Sequence, residues 1–275
     1  RVIISGGGTG GHIFPALSIA EKLTELNLET EILFVGAEGR MEMEKVPAAG
    51  YNIIGLPITG LKRSLALSNL ALPFKVIKSL GMARRTIRTF KPDIAIGVGG
   101  YASAATLNAA YDMGVPCLIQ EQNSFAGLTN KTLAKKASKI CVAYDGMERF
   151  FPADRILLTG NPIRQSLLNP ELDKTEALAE FGLTSSKPVI LLIGGSLGAR
   201  TLNNSVLKSL ELIRSSNVQF IWQTGSYYKE SIANELEKCG KPDNLYVTDF
   251  IRFMDKAYKA ADLVISRAGA SSISE

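Results

Sequence analysis

A doubly wound α/β architecture in two domains is what this chain of 275 residues predicts, and three observations carry the prediction. Short apolar runs alternate with helix-like runs from end to end. A glycine-rich loop joins strand to helix once in each half of the chain. The charge balance changes between the halves. The apolar runs are 1–5, 31–35, 51–55, 93–98, 116–120, 139–143 and 155–158, then 188–193, 218–223, 244–247 and 262–265. Several are apolar throughout, as parallel strands buried on both faces must be. Residues 16–26 carry apolar positions at helical spacing after Pro15, a favourable first-turn residue. Residues 199–212 predict a helix in the same way, and a further helix follows Phe250-Ile251.

The first glycine loop is Gly6-Gly7-Gly8-Thr9-Gly10-Gly11-His12, and the second is Gly194-Gly195-Ser196-Leu197-Gly198. At such a strand-to-helix turn, backbone N–H groups and a helix N-terminus can hold a phosphate. Two such loops predict paired domains with a cleft that brings two substrates together. The break is placed at the turn residues Thr159-Gly160-Asn161-Pro162, giving domains 1–161 and 162–275. At the other end, residues 262–265 read as a strand and Ser271 as a helix start, close to the last residue. We therefore expect a second domain that continues in a longer protein, and the initial Arg1 predicts trimming there too.

Composition narrows the class. Hydrophobic residues make up 46 % of the chain, enough for sizeable cores. No apolar run reaches the ~18 residues that a membrane span needs. Cys117, Cys141 and Cys239 are scattered, which argues against a disulfide framework or a zinc site and fits a reducing compartment. No cluster of His, Asp or Cys reads as a metal site. Residues 1–161 hold 18 Lys and Arg against 13 Asp and Glu, whereas residues 162–275 hold 13 of each. Between 45 and 92 there is no acidic residue, only nine cations (Lys45, Lys62, Arg63, Lys75, Lys78, Arg84, Arg85, Arg88 and Lys91) among leucines and other apolar residues. That mixture suits an anionic membrane surface. A solvated helix face is the plainer reading. Nucleic acid is the poorest, because the stretch offers few aromatics on which bases can stack.

Candidate chemistry gathers at the carboxyl ends of strands, where open α/β sheets bind ligands. Gly6, Gly8 and Gly11 satisfy G-x-G-x-x-G, but no acid closes the second strand to hold an NAD ribose, so an oxidoreductase is the lesser reading. His12 is the sole histidine and follows the first loop at a helix start. The positive end of a helix disfavours imidazolium, which suits a general base; packing beside the loop is the alternative. Gly8, Thr9, Gly10 and Gly11 share that loop. Tyr101 closes Gly97-Val98-Gly99-Gly100-Tyr101, and Glu121-Gln122-Asn123 follows the strand at 116–120. Thr9, Tyr101, Glu121 and Asn123 can converge on one cleft, with amide and hydroxyl groups fit for sugar hydroxyls. In the second half, Ser196 can meet a phosphate, Arg164 can face the cleft, and Ile251 can present backbone groups to a flat base.

Taken together, these motifs resemble the MurG family of N-acetylglucosaminyltransferases. The resemblance rests on Gly7-Gly8-Thr9-Gly10-Gly11-His12 with Phe14-Pro15, on residues 97–101, 121–123 and 126–131, on Gly160-Asn161-Pro162-Ile163-Arg164, on residues 194–200, and on Arg267-Ala268-Gly269-Ala270 through Ser274-Glu275. It implies a GT-B fold: two Rossmann-like domains across a cleft. It implies inverting transfer of N-acetylglucosamine from UDP-GlcNAc to the muramoyl 4-hydroxyl of an undecaprenyl-diphospho-muramoyl-pentapeptide, lipid I, with no metal or other cofactor. A GT-B enzyme acting on another lipid is the nearest alternative. It further implies that Ile251 meets the uracil, Ser196 the pyrophosphate and Glu275 the ribose, with Asn123 and Arg164 also on the donor. Thr9, Gly10, Gly11 and His12 would lie near the transferred sugar and the acceptor diphosphate, with Gly8 and Tyr101 on the acceptor side. His12 is the candidate base and Glu121 its rival. The setting implied is the cytoplasmic face of the bacterial inner membrane, reached peripherally. The resemblance also implies donor contacts beyond Glu275, so a chain ending there is expected to bind donor weakly.

Overall fold

The structure is a computed structural model describing residues 1–58, 72–195 and 197–275, with the backbone alone at Leu72 and Leu168. It divides into two compact units, Arg1–Arg164 with Ser274, and Gln165–Ile273 with Glu275. Arg164 thus falls in the first unit.

The first unit is built on a seven-stranded parallel sheet. Its strands are β1 (Val2–Ser5), β2 (Ile32–Ala37), β3 (Asn52–Leu56), β4 (Ile94–Gly97), β5 (Cys117–Glu121), β6 (Lys139–Val142) and β7 (Ile156–Leu158), in the order β3-β2-β1-β4-β5-β6-β7. Successive side chains of a strand point to opposite faces, so β1 feeds both cores. Ile3 joins Val35, Ala95 and Ile119 on one face; Val2 and Ile4 join Phe34, Ile96 and Val98 on the other. The helices are α1 (Gly10–Leu26), α2 (Glu42–Ala48), α3 (Leu72–Phe90), α4 (Tyr101–Asp112) and α5 (Leu128–Leu133). The helix expected at 16–26 begins at Gly10 instead, so Pro15 lies inside α1 rather than in its first turn. α3 buries Ser79, Ala83, Thr86 and Ile87, a helical stripe, and leaves Phe74 and Ile77 77 % and 67 % exposed.

The second unit carries a four-stranded parallel sheet, β10-β9-β8-β11, from β8 (Val189–Ile193), β9 (Gln219–Gln223), β10 (Leu245–Thr248) and β11 (Leu263–Ser266). Leu191, Ile193 and Ile221 pack on one face, Leu192 and Trp222 on the other. Around them lie α6 (Lys174–Glu180), α7 (Arg200–Lys208), α8 (Leu210–Ser215), α9 (Lys229–Cys239), α10 (Met254–Ala260) and α11 (Ala270–Ser274). The helix expected at 199–212 is thus two, parted at Ser209. At the amino end of this sheet Asp262 ties three elements together. Its carboxylate accepts the Val189 N–H (2.8 Å) and the Lys174 ammonium (2.5 Å), while its own N–H donates to the Val189 carbonyl (2.8 Å).

Candidate functional site

In the first unit the chain leaves β1 for β2 and β3 on one side, then returns to place β4 on the other. The crevice between β1 and β4 is therefore a topological switch point, where ligands of open α/β sheets bind. Two glycine loops border it, residues 6–9 after β1 and 98–100 after β4. His12, in the first turn of α1, points its ring between them. Its Nδ1 lies 3.0 Å from the Gly7 carbonyl oxygen and 3.4 Å from Thr9 Oγ1. A carbonyl only accepts, so Nδ1 carries a proton in the contact with Gly7, and in the neutral ring the lone pair then falls on Nε2. That nitrogen faces Gly99. With φ +100°, Gly99 holds a backbone conformation that L side chains rarely adopt, and a Cβ there would stand 2.9 Å from His12 Nε2.

The remaining candidates of this unit fall at the same sheet end. Gly8, Thr9 and Gly11 are exposed and Gly10 half-buried. Tyr101 opens α4 and is 54 % exposed. Glu121 ends β5 and is 1 % exposed. Its Oε1 accepts from the Asn123 N–H and side-chain amide (both 3.1 Å); its Oε2 accepts from the Gly127 N–H (3.0 Å) and Asn130 Nδ2 (2.9 Å). Four donors on a buried carboxylate make a staple for the 123–130 loop. This binds Asn123 into the loop by two of its own donors. Arg164 rests its guanidinium 5.1 Å over the Phe14 ring of α1. The nearby Glu21 carboxyl is pushed up by burial, an effect its attraction to Arg164 opposes.

One residue that the sequence reading missed holds the first loop. Glu42 opens α2 and is 1 % exposed. Its Oε2 accepts from the Gly8 N–H and its Oε1 from the Ala37 N–H, each at 3.0 Å. A Cβ on Gly7 would overlap this carboxylate. The signal available was faint: one acid at a helix start, after a strand beside the loop.

The second unit repeats the topology, with its switch between β8 and β11. Gly194, Gly195 and residues 197–199 lie between β8 and α7; Ser196 lies outside the described residues. Ile251 departs from expectation in one respect. Its N–H is already given to Gln223 Oε1 (2.9 Å) and its side chain is in the core, so one of the backbone groups expected to meet a base is occupied within the unit. Gln223, also missed, ends β9 and spans the site: its Nε2 donates to the Gly195 carbonyl at 3.1 Å. Its place at a strand's carboxyl end was the signal. Glu275 Oε2 accepts from the Tyr258 hydroxyl at 3.2 Å. Among the described residues no group of three or more His, Cys, Asp or Glu is arranged to hold a metal ion.

Comparison with known proteins places this architecture. The glycosyltransferase family 28 N-terminal domain matches residues 2–142, and the family's C-terminal domain matches residues 189–275. The chain belongs to glycosyltransferase family 28. Within that family it is 59 % identical over 276 residues to a protein of Bacteroides fragilis and 61 % identical over 275 residues to one of Phocaeicola vulgatus. Each is named UDP-N-acetylglucosamine–N-acetylmuramyl-(pentapeptide) pyrophosphoryl-undecaprenol N-acetylglucosamine transferase, and each alignment covers all of this chain and 73 % of the relative. The crystal structure of Acinetobacter baumannii MurG superposes with a TM-score of 0.69 at 30 % identity, over 99 % of this chain and 74 % of that one. The fold class of this family 28 chain is accordingly GT-B, with two Rossmann-like units. A UDP-GlcNAc 2-epimerase from Neisseria meningitidis shares the fold, with a TM-score of 0.65 at 14 % identity over 98 % of this chain and 78 % of that one.

Proposed function

We propose that this chain carries the N-acetylglucosaminyl transfer of peptidoglycan synthesis: UDP-GlcNAc and lipid I give lipid II and UDP. The observation that carries this reading is identity of 54–61 % over the whole chain to transferases named for that reaction. Such membership also removes the reason to read G-x-G-x-x-G as an NAD site. In the reaction, the muramoyl 4-hydroxyl oxygen bonds to the anomeric carbon as the bond from that carbon to UDP breaks, with inversion. The hydroxyl proton goes to a base, and UDP departs with the electron pair.

His12 is the base this geometry favours, since in the neutral ring its Nε2 holds the lone pair beside Gly99 at the crevice border, whereas both oxygens of Glu121 are committed to loop donors. Glu121 then keeps Asn123 in place. Gly8 and Tyr101 border the acceptor, while Thr9, Gly10 and Gly11 lie near the transferred sugar of the donor and the acceptor diphosphate. The 194–198 loop with Ser196, the Ile251 backbone, Asn123, Arg164 and Glu275 serve the donor, and the departing pyrophosphate gains from N–H groups at a helix start. In this reading residues 1–161 take the acceptor and 162–275 the donor. The basic stretch 45–92 meets an anionic membrane from the cytoplasmic side, and nucleic acid is no partner; the part holding Lys62 and Arg63 lies outside the described residues. No described helix is long and apolar enough to cross a membrane.

Calorimetry on the full-length protein tests the donor assignment, with UDP-glucose and NADH as comparisons. We expect selective binding of UDP-GlcNAc. Binding of NADH alone, or of nothing, would overturn the assignment.

A further inference from the structure

Glu42 and His12 contact opposite edges of a single peptide unit. The Gly8 N–H and the Gly7 carbonyl belong to the same planar amide and point in opposite directions. Glu42 Oε2 takes the N–H at 3.0 Å, and the carbonyl oxygen lies 3.0 Å from His12 Nδ1. The peptide is confined on both sides. A Cβ on Gly7 would overlap Glu42, and a Cβ on Gly100 would stand 2.7 Å from the Gly7 oxygen. The carboxylate is 1 % exposed, and the hydrogen bonds described for it come from backbone N–H groups alone. A buried charge so placed costs stability unless its hydrogen bonds are kept.

We propose that Glu42 is a positioning residue for His12, acting through the Gly7–Gly8 peptide. The carboxylate fixes that amide's orientation and polarises it, so the Gly7 oxygen becomes a stronger acceptor. A stronger acceptor at Nδ1 holds the proton there and keeps the Nε2 lone pair toward the crevice. When Nε2 takes the acceptor's proton, the imidazolium still donates from Nδ1 into the same chain of hydrogen bonds. Outer partners of a reactive histidine often fix its tautomer and ring orientation by direct contact. Here the contact is relayed by backbone. The inference rests on His12 being the base, and its test is separable from that reading.

The chain has one histidine, so ¹⁵N labelling of histidine reports His12 alone. Unmodified protein should show Nδ1 protonated and Nε2 bare. Glu42→Gln retains the shape but cannot accept from both Gly8 and Ala37, and the Nε2–H form should gain about fivefold to tenfold in population. In the transfer assay kcat should fall about 10-fold to 100-fold with the donor KM held. An unchanged His12 spectrum in a variant with a dispersed amide spectrum overturns the relay. Should that variant not fold, the unmodified protein still decides: the amide of Gly8, an exposed residue, must exchange with deuterium at least tenfold more slowly than that of Thr9, and equal rates overturn the relay. If the protein folds but does not transfer, the base assignment falls while the tautomer still judges the relay. If it transfers and His12 ignores Glu42, the relay alone falls.

Discussion

A single methyl group on Gly99 would reach the ring of His12. The added Cβ would stand 2.9 Å from Nε2, at a backbone φ of +100°. We therefore expect Gly99→Ala to lower kcat by about 100-fold, the cost of roughly an ångström of misplacement at a reacting centre. Donor affinity should stay as it is, because the residues assigned to the uracil and pyrophosphate lie in the other unit. Equal kcat for both proteins in a steady-state transfer assay would contradict the placement of the base. The place of His12 beside the first glycine loop was legible in the sequence because a lone histidine followed that loop. Glu42 was not, since the contact joins residues 34 positions apart and no spacing rule links a helix-opening acid to a loop amide. Ile251 was legible only in part. Its chain position marked it, but the Gln223 amide that occupies its N–H comes from the end of β9, 28 residues away in sequence.

Strands were more legible than helices, for a physical reason. A parallel strand buried on both faces is an uninterrupted apolar run bounded by turns, and Val2–Ser5 and Val189–Ile193 show it plainly. Helix limits depend on surroundings that a periodic pattern omits. α1 starts on two glycines because the loop and the β1 end position its first turn, despite poor intrinsic propensity. Between α7 and α8 the buried positions Asn203, Val206, Leu210 and Ile213 run at helical spacing straight past Ser209, so the pattern gave no sign of the break. α3 combines both kinds of information: a buried stripe and, opposite it, exposed Phe74 and Ile77 beside Lys78. We expect the double variant Phe74→Ser, Ile77→Ser to lose most sedimentation with vesicles containing anionic lipid, by about tenfold. Apolar insertion and roughly 1 kcal/mol per adjacent cation act together at such a surface. Binding that ignores both the variant and the lipid charge would remove α3 from the membrane reading.

At the level of the chain, the two units have separate sheets and separate cores, so unfolding need not be one transition. Their charge also differs, with the surplus of cations confined to residues 1–161. The Asp262 tie gives the second unit its own response to acid. The Lys174 ammonium, and then the Val189 N–H, hold this carboxyl below the ordinary aspartate range. A carboxyl lowered on folding stabilises the native state above its unfolded value of about 3.9, and that contribution disappears as the pH falls through the lower folded value. Asp262→Asn should therefore melt earlier than the parent near neutrality in its second-unit transition, and the gap should close in strong acid. A gap that persists unchanged would show that charge is not what holds the seam. In the intact protein the carboxylate is an acid-labile latch on strands β8 and β11 and helix α6. Protonation should weaken it at the amino edge of the sheet, opposite the loops proposed to hold UDP, so souring is expected to loosen the second unit's foundation before it disturbs those loops.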